Sequence, residues 1–334
     1  MKFISDNIPD KPIVLYHAIS SYQLIEVILH RMIYHEKDKA VLILPDFIIQ
    51  KYPNYKNLIS KKLFNEVYLF PYLYIPHHNE KQIKEDVSRY YNQIIPYNIK
   101  QFSKVYVSGA HFYFSLYLIE NQIPFIFFED AAGMLSRAQE LYKNLTVNFP
   151  LHAHIANKYG LFDGNNKYIT KIICLKDAQT IDVEGQKFIN FSVEDALQKL
   201  SPHKRNKFIH FFIKHRIKTK ADIILLTQHF ANLGMMSIKE QKYLYEQLRD
   251  DILSDKNIII KKHPDDTLDY KEIFPHADII KEIFPSELLA YVFWKKPQFI
   301  YTFNSTGCEN LKNHFIIKKI GREKYAGQKN FDNS

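Results

Sequence analysis

The chain has 334 residues, 46% hydrophobic and 15% aromatic, with 23 Tyr and 25 Phe against only 9 Gly and 14 Pro. That length points to two domains, each able to bury its own core, and the composition excludes a low-complexity or disordered chain. A formal charge of +9 favours anionic partners such as a nucleotide, an acidic glycan or an anionic membrane surface.

Nucleic acid is not the expected partner. The basic residues are spread along most of the chain, with no zinc-finger spacing and no aromatic-glycine signature of the RNA-recognition type. Cys174 and Cys308 are far apart and give no disulfide framework, which fits a reducing compartment. The start, MKFISDNIPDKP, lacks the apolar core of a secretory signal, and no apolar run of about 18 residues occurs. The expectation is a cytoplasmic chain, resting at most on the inner face of the membrane.

In chain order, residues 11–16 (KPIVLY) read as a strand, and the turn after them leads into an apolar-periodic helix, YQLIEVILHRMIYH, which Ser20 or Ser21 can cap with Gln23 in the first turn. Strands follow at 40–44, 66–70 and 104–108, with a polar helix over roughly 80–95. Strands alternating with helices imply a parallel sheet. Gly109 ends one strand and allows close backbone approach before HFYFSLYLIENQ, a helix with a broad apolar face.

The strand at 124–128 (PFIFF) delivers Glu129 and Asp130 together at its carboxyl end, with Gly133 in the loop behind them. Paired acids past an apolar strand are solvated, partnered, kept for chemistry, or used to cap the following helix, MLSRAQELYKN. From 137 to about 220 the pattern is mixed, with one clear strand (TKIICL) and a helical stretch (VEDALQKL). Residues 201–220 then place Lys204, Arg205, Lys207, Lys214, Arg216, Lys218 and Lys220 around Phe208, Ile209, Phe211, Phe212 and Ile213. Such a segment either docks on an anionic surface, through 203–220, or packs its aromatic side on the body.

A second alternation starts at Ala221. Residues 223–226 (IILL) form a strand ending at Thr227, Gln228 and His229, and SIKEQKYLYEQLRDDILSD is a strong helix capped by Ser237. The strand Ile258, Ile259, Ile260 runs into Lys261, Lys262 and His263-Pro264, which presents an imidazole and two ammonium groups at a strand's carboxyl end, where open α/β sheets bind ligands. The bland alternative is a His-Pro turn after a core strand. Residues 277–280 (ADII) give a short strand, Pro285, Ser286 and Glu287 open a helix, and PQFIYTF delivers Asn304, Ser305, Thr306 and Gly307 before a last strand, HFIIKKI. A hydroxylated turn there can hold a phosphate through backbone N–H groups and side-chain hydroxyls, although it is more often a simple helix cap.

The expected fold is therefore α/β, with two Rossmann-like parallel-sheet domains facing a central cleft, the GT-B layout. Residues 1–200 form the acceptor-side domain, 201–220 a basic amphipathic linker and 221–334 the nucleotide-sugar-binding domain. No GxGxxG or GxxxxGK[ST] sequence is present.

Taken together, Glu129-Asp130 with Gly133, His263-Pro264 and Ser305-Thr306, in that order and at strand ends, resemble the acidic-acidic-Gly, HP and Ser/Thr motifs of the bacterial GT-B sialyltransferases and polysialyltransferases. The turn SSYQ is similar to that family's early TPxQ-like turn. In one departure, two alanines separate the acids from Gly133, so the base falls to Asp130 or to Glu129. The resemblance implies an inverting transfer of sialic acid, or a related nonulosonic acid, from a CMP-activated donor to a glycan of capsule or lipooligosaccharide, the acceptor being acidic or lipid-linked.

In that reading Asp130 takes the acceptor's proton and His263 serves the departing CMP phosphate. Ser305 and Thr306 bind the phosphate and Glu287 the ribose, with Gln228, Lys262 and Ser286 lining the donor site. A single-phosphate leaving group is served by His, Lys and hydroxyls without a divalent metal, and the 15 histidines show no HExxH spacing. Two alternatives stand beside it: a GT-B transferase with a UDP- or CDP-linked donor, and a noncatalytic scaffold of a capsule assembly complex. A homodimer stays open.

Overall fold

The computed structural model describes residues 12–75, 79–129, 135–174, 188–303, 308, 311–322 and 325. The chain divides into two compact units, Met1–Phe211 and Phe212–Ser334.

The first unit runs β1 Ile13–His17, α1 Ser21–Tyr34, β2 Lys39–Pro45, α2 Ile48–Lys51, α3 Asn57–Ser60, β3 Glu66–Phe70, α4 Glu80–Ile94, β4 Phe102–Ser108, α5 Phe114–Glu120, β5 Phe125–Phe128, α6 Ala138–Asn148, α7 Pro150–Lys158, β6 Ile169–Cys174, β7 Phe188–Asn190, α8 Val193–Lys199 and α9 Pro202–Phe212. Its strands form one 7-stranded sheet in the order β3-β2-β1-β4-β5-β6-β7. Every pairing is parallel. Helical crossovers cover both faces of such a sheet, which is why β1 is buried at every position. Helix α1 starts where Ser20 accepts the Gln23 N–H while Gln23 Oε1 accepts the Ser20 N–H, a reciprocal cap. Behind it Leu24, Ile25, Val27, Ile28 and Leu29 are fully buried, each contributing roughly 1.5–3 kcal/mol.

The second unit contains β8 Ile223–Leu226, α10 Ile238–Leu248, β9 Ile258–Lys261, α11 Tyr270–Ile273, β10 Asp278–Ile279, α12 Leu289–Val292, β11 Phe299–Thr302 and β12 Ile316–Lys319. These strands form a 5-stranded sheet in the order β10-β9-β8-β11-β12, again parallel throughout. Both orders grow outward in two directions from a central pair, β1/β4 in one sheet and β8/β11 in the other. In open α/β sheets that switch point opens a crevice at the strands' carboxyl ends.

One local expectation changes. The helix foreseen from Ser237 onward is α-helical only to Leu248, and Arg249–Leu253 is a π turn. Residues 201–220 begin with α9, whose Phe208, Ile209 and Phe212 are buried, as is Ile213 behind it, so of the two readings of this segment the aromatic side packs on the body. Lys204 of the same helix pairs with Glu36 at 2.6 Å within the first unit. The apolar side is core, so it is not on offer to a membrane. Among the described residues no helix is long and apolar enough to cross one.

Candidate functional site

Two loops at the carboxyl ends of β8 and β9 are tied together by one buried carboxylate. One oxygen of Asp266 accepts from Thr227 Oγ1 at 3.0 Å and the Tyr270 hydroxyl at 2.7 Å, and the other accepts from Gln241 Nε2 at 3.0 Å and the Leu268 N–H at 3.1 Å. Thr227 Oγ1 in turn accepts the His263 N–H at 3.0 Å. Gln241 also donates to the Gln228 carbonyl at 3.1 Å and accepts the Ala231 N–H at 2.7 Å, while the Tyr245 hydroxyl accepts the Gln228 N–H at 2.8 Å. Burial pushes both phenols above their ordinary pKa, so they keep their protons. A buried carboxylate with this many donors is a rigid anchor for the loops around it.

That frame sets two imidazoles face to face. The rings of His229 and His263 stack with centroids 3.7 Å apart and planes 15° from parallel. The Asp265 N–H donates to His263 Nδ1 at 3.2 Å, so in the neutral ring the proton sits on Nε2, which is then the ring's donor. His229 Nδ1 is buried with no hydrogen-bond partner among the described residues. His229, His263 and Asp265 each bring a ligand atom within 4.8 Å of the others. Imidazole lone pairs, however, lie in the ring planes, and two nearly parallel planes a stacking distance apart do not meet within the about 2.0–2.1 Å of a metal–nitrogen bond. The arrangement suits an anion better than a metal.

Lys261 ends β9 and is buried. Burial lowers its ammonium pKa to about 8, against the opposing pull of Glu287. Its Nζ lies 4.4 Å from the centre of the Phe284 ring. Glu287 sits on the 3-10 turn Ser286–Leu288 and is itself buried, so these two side chains share one low-dielectric neighbourhood.

At the carboxyl edge of the first sheet, His17 ends β1. Its Nδ1–H donates to the Ser108 carbonyl at 3.1 Å, and its Nε2, 2.7 Å from the Tyr72 hydroxyl, accepts from it. Burial holds the ring pKa down at about 3 and that of His111 at about 4, so both are neutral packing groups. Gly109, at φ +63°, turns the chain out of β4; a Cβ there would meet Ile19 Cδ1 at 2.3 Å, so only glycine fits this close approach of two turns at the switch point. Glu129 follows β5, is fully buried and accepts the Leu135 N–H at 3.2 Å.

No family model matches the chain. An uncharacterized protein of Haemophilus influenzae is 23% identical over 309 residues, spanning 91% of this chain and 90% of its own. Among solved structures, LpCGTa in complex with UDP superposes with a TM-score of 0.53 at 11% identity, over 95% of this chain and 89% of that one. The Methanocaldococcus jannaschii UDP-GlcNAc 2-epimerase, in complex with UDP-GlcNAc and UDP, gives 0.51 at 14% identity, over 94% and 90%. S. aureus MnaA with UDP gives 0.52 at 14%, over 89% and 75%. The fold is GT-B. At these identities the likeness carries the architecture alone.

On this GT-B scaffold, His263, Lys262 and Gln228 stand together at the β8/β9 edge, all half-buried. Ser286, also half-buried, and Glu287 share a turn that joins them through Lys261. Asp130, Ser305 and Thr306 lie outside the described residues. Glu129 is described, but its carboxylate is turned to the loop at Leu135. Sequence reasoning placed His229 at the end of β8 without giving it a role, and gave none to Asp266. The signal for both was position: His229 is third after β8 and Asp266 fifth after β9, on strands that are parallel neighbours in the register Leu226 to Lys261.

Proposed function

We propose that the protein is an inverting glycosyltransferase that moves sialic acid, or a related nonulosonic acid, from its CMP-activated donor to a cell-surface glycan. The observation that carries this reading is the placement of His263 at the carboxyl edge of β9, where its backbone N–H donates to Thr227 Oγ1 and its Nδ1 accepts the Asp265 N–H, which makes Nε2 the donor nitrogen of the neutral ring. It is a donor suited to the oxygen of a departing phosphate.

In the reaction, the bond from the anomeric carbon to the CMP phosphate oxygen breaks and its electron pair stays on that oxygen, where His263 Nε2–H meets the developing charge. The acceptor hydroxyl forms the new bond and gives its proton to Asp130. Glu129, the neighbouring acid and the alternative base, is buried and accepts the Leu135 N–H. Ser305, Thr306 and Lys262 take the phosphate, Glu287 takes the ribose hydroxyls, and Ser286 and Gln228 line the donor. His229 keeps the His263 plane fixed.

A second reading has an observation of its own: solved GT-B neighbours carry UDP, which favours a UDP-linked donor. Calorimetric titration of CMP, UDP and CDP into the wild type and His263→Ala separates the two. Selective CMP binding that weakens about tenfold in the variant, the worth of one charge-assisted hydrogen bond, supports the nonulosonic-acid transferase. UDP binding as tightly as CMP moves the assignment to the UDP-linked transferase.

A further inference from the structure

The end of the second sheet opposite His263 carries a surface that the catalytic reading does not use. The chain's single tryptophan, Trp294, is 65% exposed there. It does not sit on a loose loop. Its backbone N–H donates to the Ile217 carbonyl at 3.0 Å, and Phe293 forms a parallel bridge with Ile217, which fixes residues 293–294 to the strand-like segment before β8. The Arg216 guanidinium lies 5.7 Å from the centre of the indole, within cation–π range.

Around this anchor Lys214, Arg216, Lys218, Lys220 and Lys295 are exposed, and none has an ion-pair partner among the described residues. Lys220 also borders a cavity of about 180 Å³ whose wall includes Arg249, Lys256 and His276, together with Asp278. Asp278 opens β10 and the others precede the amino ends of β8, β9, β10 and β11, whereas His229 and His263 follow the carboxyl ends of β8 and β9.

From this geometry we infer that the amino end of the second sheet docks on an anionic lipid bilayer, with Trp294 inserted at the headgroup level and the surrounding cations set against lipid phosphates. Exposed indole is costly in water and favoured at the membrane interface, where an apolar ring and an N–H donor are both satisfied. Unpaired lysines and arginines add attraction that an anionic leaflet supplies and a neutral one does not. A soluble acidic polymer would meet the charges but leaves the indole in water, so the bilayer fits both features. Bound this way, the carboxyl edge stays clear of the lipid, and a donor reaches it unhindered. The inference is independent of the sugar and of the reaction.

The lone tryptophan makes the test direct. The full-length protein is titrated with vesicles of phosphatidylcholine alone and of phosphatidylcholine with phosphatidylglycerol, following tryptophan emission and co-sedimentation. The expected result is a blue shift and sedimentation with the anionic vesicles only, abolished by high salt. Each charge removed, as in Lys218→Ala or Lys295→Ala, weakens binding by about fivefold, and Trp294→Ala weakens sedimentation with circular dichroism unchanged. Neither shift nor sedimentation with anionic vesicles overturns the inference. So does sedimentation that Trp294→Ala and both charge variants leave intact, or a shift produced by soluble polyglutamate while the vesicles sediment nothing.

Discussion

Replacing Asp266 tests whether one carboxylate holds the candidate site together. In Asp266→Ala, four buried donors lose their acceptor: Thr227 Oγ1, the Tyr270 hydroxyl, Gln241 Nε2 and the Leu268 N–H. An unsatisfied buried polar group costs about 1–3 kcal/mol. The simple sum exceeds what is expected, because water enters the space vacated and the two hydroxyls can turn, so the low end, about 4 kcal/mol, is the working figure. Asp266→Asn is different. Its amide oxygen can serve Gln241 and Leu268, while its NH₂ donates to Thr227 and Tyr270, whose hydroxyls rotate to accept. The loss is then the charge-assisted part alone, about 1 kcal/mol.

Because the chain has two units, a single global midpoint would blur the effect. The assay is hydrogen exchange by mass spectrometry on peptides covering 223–231 and 258–270 across a urea series, which reads the second unit by itself. The reasoning is refuted if Asp266→Ala costs less than about 1.5 kcal/mol, or if the Asn variant is as damaged as the Ala variant, since the proposed donor count then does not control the loops.

The first unit is expected to be acid-labile. Burial holds His17 and His30 at about 3 and His111 at about 4, below the ordinary 6.5. Their folded pKa values are depressed, so the unfolded chain binds protons first; the stability they confer is complete above about pH 6.5 and is lost as pH falls toward 4 and then 3. Once below about pH 5.5, the three together give a slope near 4 kcal/mol per pH unit, measured by urea titration with exchange read on first-unit peptides; a flat profile from pH 6.5 to 4.5 refutes it. Gly109→Ala combines a positive φ with the Ile19 contact and is expected to cost about 2–4 kcal/mol in the same unit, read as lost protection of β1 and β4. If the His229 ring orients His263, His229→Phe keeps nucleotide affinity within about twofold while His229→Ala loses about five- to tenfold, the worth of an aromatic pair. Calorimetry that finds the two variants equal refutes that role.

The strands of the second unit were legible because their signal is local. IILL at 223–226 and III at 258–260 are apolar runs of strand length, and all are buried in the sheet. Strand β7 was not anticipated: Phe188–Asn190 is three residues long, with one half-buried side chain and no periodicity to read. Helix α7 was missed although Pro150 at its first turn is a start signal. The apolar side of 201–220 was legible as a stripe, but sequence alone does not say whether a stripe meets a core or a surface; the burial of Phe208 and Phe212 decides it. The site divides in the same way. His263-Pro264 announces itself within a short stretch, whereas Asp266 acquires its role from Thr227, Gln241 and Tyr270, and His229 acquires its role from a stack across two strands. Such roles exist only once β8 and β9 are neighbours.

Among the described residues both sheets are open, and their margins govern how this chain behaves in a crowd. An unpaired strand edge is a template for another chain's backbone. Here β10 offers only two residues of ladder and β7 only three, while β12 sets Lys318 and Lys319 toward solvent, where a second copy would bring like charges together. Sheet-to-sheet growth between copies is therefore checked at three of the four margins by brevity or by charge. The remaining one, β3, carries Glu66, whose carboxylate is engaged by Lys39 at 2.7 Å. Strand pairing between folded copies is therefore left to β3 among the described margins.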